Sequence, residues 1–368
     1  MKINLIAPIN QLGYGQVGKN VLKALSDLEG VEVALFPIGR TDPGDVQDIL
    51  NVYNKSISNA MFPYFGAPTI RIWHQHDMSQ FVGSGPHIGF PIFELDQLTQ
   101  QERYHLNNLD GVFVCSRWAK EIVYSETKHT KDKIHVVPLG VNNYGMQSSA
   151  TPGATKFFTC GKWEVRKGHD VLVEAFNRAF TDDDNVELHL MCTNPFLSDA
   201  QNNNWMNLYL NSPLGHKVRF VPRVKNHHEV ISIMNSMDCG VFISRAEGWN
   251  LELLEMMSLG KPVIATNYSG HTEFCNQSNS YLIDINEMEP ASDGIWFHMQ
   301  GNWAKLGEFQ INTIADDMYN IHQKKSSRSG LQFDNLDGIE TGKKFTWENT
   351  AREIINGINN ISNISAST

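Results

Sequence analysis

The densest chemistry in the chain lies in one segment, Ser244-Arg245-Ala246-Glu247-Gly248-Trp249-Asn250-Leu251-Glu252-Leu253-Leu254-Glu255. It follows an apolar run, Cys239–Ile243, and opens an apolar-periodic stretch that stops at Gly260, with Pro262 just beyond. A strand, a tight turn and a helix start in that order make an anion site. Backbone N–H groups near Trp249, Asn250 and Leu251 then point outward, and the helix dipole adds about 0.3–1 kcal/mol. Gly248 lets the backbone come close to a ligand. Glu247 belongs to the turn, whereas Glu255 lies one to two turns into the helix, where its oxygens can accept from vicinal hydroxyls. Taken alone, a Glu-x7-Glu spacing is also what an ordinary strand-to-helix turn with surface glutamates displays.

Three further stretches have the same character, each with a plainer structural reading. Gly161-Lys162-Trp163-Glu164-Val165-Arg166-Lys167-Gly168 follows a strand and gathers cations that suit a diphosphate, whose charge grows as it leaves; in isolation it is also a solvated basic turn. Leu12-Gly13-Tyr14-Gly15-Gln16-Val17-Gly18 follows the first strand. Its glycines fit G-x-G-x-x-G, but no acidic residue ends the second strand, so dinucleotide binding is disfavoured. Ile70-Arg71-Ile72-Trp73-His74-Gln75-His76-Asp77 runs from a strand into a polar tip, and in open α/β sheets the carboxyl ends of strands face the ligand crevice. Either His74 or His76 can serve there, with Asp77 orienting an imidazole. A metal would need a third ligand from elsewhere, and no metal is expected. Glu94 is a lesser acceptor-side candidate, with Asp96 read as a helix cap. Thr181-Asp182-Asp183-Asp184 contains a literal D-x-D, read as a solvated loop.

The context of these segments resembles family 4 glycosyltransferases. The 247–255 stretch, followed by Gly260-Lys261-Pro262-Val263-Ile264-Ala265-Thr266, is similar to the donor signature E-G-F-G-L-x-x-x-E and G-x-P-V-V/I-A-T. Trp249 replaces the usual Phe, and Asn250 the usual Gly, so a side chain stands where the family has none. The 161–168 loop is similar to G-R-x-x-x-x-K-G. Lys167 matches the family lysine and Lys162 stands in place of arginine, keeping the charge and losing the bidentate fork; alternatively Arg166 takes part of that role. Cys115-Ser116-Arg117-Trp118, Val136–Val141 and Phe345–Ala351 resemble the S-x-W, V-I-P-N-G-V and F-S-W-x-x-x-A elements.

The resemblance implies an α/β chain of two Rossmann-like domains with parallel sheets facing a central cleft, the GT-B fold. It implies a retaining hexosyl transfer without a metal or other cofactor, from a UDP- or GDP-sugar to a carbohydrate or lipid-linked acceptor in glycan or lipopolysaccharide synthesis. Donor contacts would come from Gly15, Lys162, Arg166, Lys167, Glu247, Gly248, Trp249, Asn250, Leu251 and Glu255. Glu247 would meet the hexose and Glu255 the ribose, with His74 or His76 near the reacting sugar and Gly15 approaching the diphosphate. A nucleotide-sugar epimerase, a phosphorylase or a non-catalytic nucleotide-sugar binder on the same architecture are the alternatives.

The elements that must position these residues follow from periodicity. Strands at Ile3–Ala7, Val31–Phe36, Thr69–Trp73, Gly111–Cys115 and Ile134–Val137 alternate with helices at Gln16–Leu28, Pro43–Val52, Asp96–Asn107 and Ala119–Tyr124. The pattern restarts with strands at Lys156–Cys160, Val186–Met191, Val218–Val221, Cys239–Ile243 and Pro262–Ala265. Helices at Asp170–Phe180, His227–Asn235 and Leu251–Leu259 lie between them. A Gly/Ser/Pro connector, Gly140 to Gly153, separates the series. The domains are thus expected at 1–148 and 149–344, with a last helix within 345–368 packing back on the first and a frayed tail from Asn359.

The chain has 368 residues, enough for two cores. Its formal charge is −10, with 12 basic against 14 acidic residues up to 150 and 18 against 26 beyond, a poor match for nucleic acid. A peripheral membrane contact stays open, but no apolar run reaches the ~18 residues of a span. Cys115, Cys160, Cys192, Cys239 and Cys275 form no CxxC pair and point to a reducing cytoplasm.

Overall fold

The computed structural model describes residues 1–142, 144, 150–224, 226–327 and 333–367. They form two compact units, 1–141 with 345–368 and 142–344. The expected boundary at 148/149, and residues 143 and 145–149 of the Gly140–Gly153 connector, fall outside the described residues.

The chain begins β1 (Lys2–Ala7), α1 (Gly13–Asp27), β2 (Glu32–Pro37), α2 (Gln47–Ala60), β3 (Thr69–Ile72), β4 (His87–Phe90), α3 (Gln100–Asn107), β5 (Gly111–Val114), α4 (Arg117–Glu126) and β6 (Ile134–Val136). The six strands form one parallel sheet, β2-β1-β3-β4-β5-β6, in which Leu5 lies between Leu35 and Ile70. Strand order reverses between β1 and β3, so the loops leaving those two strands open the crevice at the sheet's carboxyl end. They are residues 8–12, which lead into the first turn of α1 at Gly13–Gly15, and the Trp73–Asp77 tip. Helix α3 is capped by Thr99, whose Oγ1 accepts from the Glu102 N–H while Glu102 accepts from the Thr99 N–H. This capping box takes the place expected of Asp96. Helix α2 starts four residues later than the periodicity indicates and continues to Ala60, because Pro43 and Gly44 lie in the preceding turn.

The second unit runs β7 (Thr155–Gly161), α5 (His169–Ala179), β8 (Val186–Cys192), α6 (Asp199–Leu210), β9 (Val218–Phe220), α7 (His227–Asn235), β10 (Cys239–Phe242), α8 (Leu251–Ser258), β11 (Val263–Thr266), β12 (Tyr281–Ile283), β13 (Met288–Ser292), β14 (His298–Ala304), α9 (Glu308–Ser326) and α10 (Leu336–Lys344). Its parallel sheet has the order β12-β11-β10-β7-β8-β9, and β13 and β14 form a separate antiparallel hairpin. The reversal here falls between β10 and β7, which places the two motif loops, 161–168 and 244–250, side by side at the switch point. Phe157, Leu188, Leu190, Val241 and Ile264 fill the core beneath them, covered on one side by α5 and α9. Helix α10 lies close against α8; a Cβ on Gly342 would strike Ser258.

The last helix, α11 (Trp347–Ser367), packs on the first unit. The Val141 N–H donates to the Phe345 carbonyl, Thr350 Oγ1 to the Pro138 carbonyl, and Glu353 pairs with His135. Gly357 meets the Phe113 ring and Gly111 meets Ile361, so both glycines permit the close seat of α11.

Candidate functional site

In the second unit the two switch-point loops are joined by a chain of buried charges. Lys167 lies at the end of a short 3-10 turn, just before Gly168, which adopts φ 73° and faces the Ile243 carbonyl so closely that a side chain would not fit. Lys167 Nζ reaches Glu247 Oε1 at 2.6 Å, and Ser244 Oγ donates to the same oxygen at 2.6 Å. Arg166 binds Glu247 Oε2 at 2.8 Å, the Ala246 carbonyl at 2.7 Å and Glu164 Oε2 at 2.8 Å. Lys162, half-exposed at the rim, pairs with the other Glu164 oxygen at 2.8 Å.

Burial pushes the Glu247 carboxyl up, but the charges of Arg166 and Lys167 outweigh it and hold it well below the usual range. Burial lowers Lys167, and Glu247 more than restores it, so both groups are ionised across neutral pH. The sequence reading had Glu247 in the turn before the helix. It lies there and is buried, because three side chains from two loops converge on it. Arg166, offered as a substitute phosphate ligand, is buried and bound on two sides, a strut that orients Glu247. Lys162 and Lys167 remain the cations nearest the surface, with side-chain exposures of 42% and 15%.

Asn250 stands where the family pattern has glycine. It is the N-cap of α8 with φ 91°, in the left-handed region that glycine occupies freely and asparagine tolerates. Its side chain turns inward: Oδ1 accepts from the Leu253 N–H at 3.2 Å and Nδ2 donates to His271 Nε2 at 3.0 Å. A first-turn amide of α8 is therefore satisfied by Asn250 itself. His271 Nδ1 donates to the Thr266 carbonyl at 3.1 Å, which fixes the neutral tautomer; burial lowers this imidazole to about 4. The backing wall continues through Ser269, at φ 55°, whose hydroxyl accepts from the Glu247 N–H. Next to it the Gly270 N–H donates to the Glu247 carbonyl. A Cβ on Gly270 would collide with the Gly248 carbonyl. Trp249 is buried with its ring against Phe274. Leu251 opens α8, and Glu255 is buried, with its Oε1 2.8 Å from His227 Nε2. Sequence reasoning quoted Ser244 within the motif without giving it a role, and missed Ser269 and His271, whose only signal is that they are polar residues shortly after an apolar strand.

In the first unit the tip after β3 is held from behind. Arg71 is buried, and its guanidinium donates to the Asp77 carbonyl and carboxylate, each at 2.8 Å, and to Gln80. Asp77 was expected to orient an imidazole; its carboxylate pairs with Arg71 at 2.8 Å. The His74 and His76 rings stack at 5.3 Å. Tyr14 lies beneath them, its ring 4.7 Å from His74 and its hydroxyl bonded to the Ile92 carbonyl at 2.6 Å, the Ile92 N–H at 3.1 Å and the Trp73 carbonyl at 3.3 Å. Burial raises the Tyr14 phenol well above its usual value, with the Glu94 charge adding to the effect. Gly15 was expected to approach a ligand. Asn10 is what crowds it, whereas Gly13 has open space where a side chain would stand.

Among the described residues no group of three or more His, Cys, Asp or Glu could hold a metal, and no helix is long and apolar enough to cross a membrane. Asp184 of the D-x-D triplet accepts from Thr181 within its own loop.

Residues 154–295 match the family described as Glycosyl transferases group 1. No curated protein matches the chain by sequence. Solved structures similar to it include sucrose-phosphate synthase from Thermosynechococcus elongatus, 17% identical over the whole of both chains with a TM-score of 0.68. HepE of Anabaena, crystallised with UDP and glucose, is 14% identical over 98% of this chain and 99% of its own, with a TM-score of 0.68. TarM of S. aureus, crystallised with UDP, fondaparinux and α-GlcNAc-glycerol, is 14% identical over 80% of this chain, with a TM-score of 0.60; the match spans 55% of TarM. The chain thus has the GT-B fold of two Rossmann-like units, and the stretch that resembles the glycosyltransferase group 1 family lies within the second.

Proposed function

We propose that the protein is a retaining, family 4-like glycosyltransferase that moves a hexose from a nucleoside-diphosphate sugar to an acceptor hydroxyl in cytoplasmic glycan or lipopolysaccharide assembly. The observation that carries this reading is the convergence of Lys167, Arg166 and Ser244 on Glu247 at the switch point of the second unit, beside the N-terminus of α8. Lys162 and Lys167 are the cations for the diphosphate. They stabilise the charge that develops on it as the anomeric bond breaks, and the start of α8 adds its dipole. Glu247 has one accepting position on Oε2 beyond the three donors it already receives, enough for one sugar hydroxyl. Glu255 is the candidate for the ribose hydroxyls, and His74 or His76 for the reacting sugar. UDP is the favoured nucleotide, since HepE and TarM were both crystallised with it; carbohydrate and lipid-linked acceptors both fit the reading.

The test is a thermal-shift screen of UDP, GDP, ADP and their sugars. A ligand at 100 times its dissociation constant stabilises by about 2.7 kcal/mol. For the sugar that shifts, NMR of the transferred or hydrolysed product reads the anomer first released. A shift with at least one UDP- or GDP-sugar and an unchanged anomer are expected; no shift with any of them ends the reading, and an inverted anomer ends its retaining part.

A further inference from the structure

The β13–β14 hairpin is an antiparallel addition to a parallel unit, and its second strand lies beyond the residues that match the glycosyltransferase family. Its tip is built to be rigid. Asp293 Oδ1 accepts from three successive backbone N–H groups, those of Ile295, Trp296 and Phe297, at 2.9, 2.7 and 2.9 Å, around Gly294 at φ 73°. The base is anchored to the donor-loop segment: Arg245 Nε and Trp303 Nε1 both donate to Glu289, and the Ala304 N–H donates to the Arg245 carbonyl.

This stiff tip holds Trp296 in solvent at 47% exposure, against Phe196, which is 58% exposed. The two rings meet edge to face at 6.0 Å. Phe196 comes from the loop after β8, which is fixed independently by the fully buried Asn194, whose Oδ1 accepts from the Phe196 N–H and whose Nδ2 donates to the Trp163 carbonyl. Lys162 of the cationic loop stands 5.6 Å from the centre of the Phe196 ring. Two separately pinned loops thus keep large apolar rings in water, although burying such side chains is favourable.

We propose that Phe196 and Trp296 form a saccharide platform, a subsite for a pyranose ring of the acceptor beside the donor loop. The axial C–H face of a pyranose is apolar and its hydrogens are slightly positive, complementary to the negative face of an aromatic ring. A rigid ring pair binds such a face with little loss of conformational freedom. Lys162 makes the platform continuous with the diphosphate loop and adds a cation for a hydroxyl or an acidic sugar. The proposal rests on the glycosyltransferase reading above.

The experiment compares the full chain with its Phe196→Ala/Trp296→Ala double variant and with Trp296→Tyr. Each is applied to an array of immobilised neutral, amino and uronic-acid oligosaccharides, with the UDP-induced thermal shift measured in parallel. The wild type is expected to hold at least one saccharide class, the double variant to lose it at least tenfold, Trp296→Tyr to keep most of it, and the UDP shift to be the same in all three. Equal saccharide binding by the double variant, or none by the wild type, overturns the platform. A loss of the UDP shift confined to the double variant also overturns it, in favour of a nucleobase stacking on these rings. A wild type that binds saccharide through the platform but never responds to UDP removes the donor reading and leaves the platform standing.

Discussion

Replacing Lys167 by Met and Glu247 by Gln should separate binding from turnover, because the two changes move the charge of the loop pair in opposite directions. The cluster holds Lys162, Arg166 and Lys167 against Glu164 and Glu247, a net charge of +1. Lys167→Met brings it to zero and Glu247→Gln raises it to +2. A charge-assisted hydrogen bond is worth about 1.5–3 kcal/mol. Loss of the Lys167 contact should therefore weaken UDP about 10- to 150-fold, at 1.4 kcal/mol per decade. Glu247→Gln should leave UDP affinity unchanged or tighter, since Lys167 loses its internal competitor. Its transfer or donor-hydrolysis rate should still fall at least about 100-fold, on the scale of one preorganised electrostatic contact.

Calorimetric titration with UDP gives the first quantity and single-turnover donor cleavage the second. Breaking a buried pair can cost 3–5 kcal/mol, so the melting temperature of each variant is needed as a check on folding. After Lys167→Met, Glu247 keeps Arg166 and Ser244, which limits the damage. A folded Lys167→Met variant that binds UDP within twofold of wild type would falsify the assignment of Lys167 to the diphosphate. A folded Glu247→Gln variant with near-normal cleavage would do the same for Glu247.

Asn250→Gly should cost stability and spare the ligand. Relief of the φ 91° strain, about 1 kcal/mol, offsets part of the loss of the His271 partner and of backbone entropy, about 1–3 and 0.5–1 kcal/mol; a drop of several degrees in melting temperature with UDP affinity within twofold is expected, and a tenfold affinity change at constant stability would place the carboxamide in the binding site after all. His271 and His169 are both buried and lowered by that burial to about 4. The unfolded chain takes up protons near pH 6.5 that the fold refuses until about 4, so stability is complete above pH 6.5 and falls as acid is added, by on the order of 3 kcal/mol per histidine. Urea midpoints between pH 7 and 4 should show this, and His271→Gln should flatten the slope; an unchanged slope would mean another group titrates. Tyr14→Phe removes only the hydroxyl that joins the His74 loop to Ile92, so donor cleavage should slow about tenfold while UDP affinity holds, a prediction that fails if both move together or neither moves.

Much of the scaffold was legible because β-branched runs and 3.6-residue periodicity are local signals. What escaped notice is what tertiary packing decides. Strand β4 is only His87-Ile88-Gly89-Phe90, its pattern broken by a glycine that stands against Leu109 and Met78. Helix α6 carries four asparagines and little apolar stripe, and its start is fixed by the capping box of Ser198 and Gln201. Helix α10 has two glycines, which propensity counts against a helix, yet Gly342 is what lets it lie on α8. The motif residues were found from their types and spacing, but their partners were not. Nothing local announces that Arg71 will take Asp77, that Arg166 will be enclosed between two glutamates, or that Asn250 will turn to His271. Each of those contacts joins residues brought together by sheet order or by a loop's return.

The same sheet order explains why the non-glycine strain sits where it does. Besides Met299 in the hairpin, the described residues with positive φ that are not glycine are Asn250 and Ser269. Both flank the turn that presents Glu247, and both are held by buried hydrogen bonds, Asn250 to His271 and Ser269 to the Glu247 N–H. Such conformations cost roughly 1–3 kcal/mol each and persist only when their surroundings over-determine them. A turn that merely joined β10 to α8 would have no need of that expense. A turn that must hold one carboxylate between two cations, at the mouth of a switch point, does, because a shift of the carboxylate by an ångström would leave a buried charge without its partner.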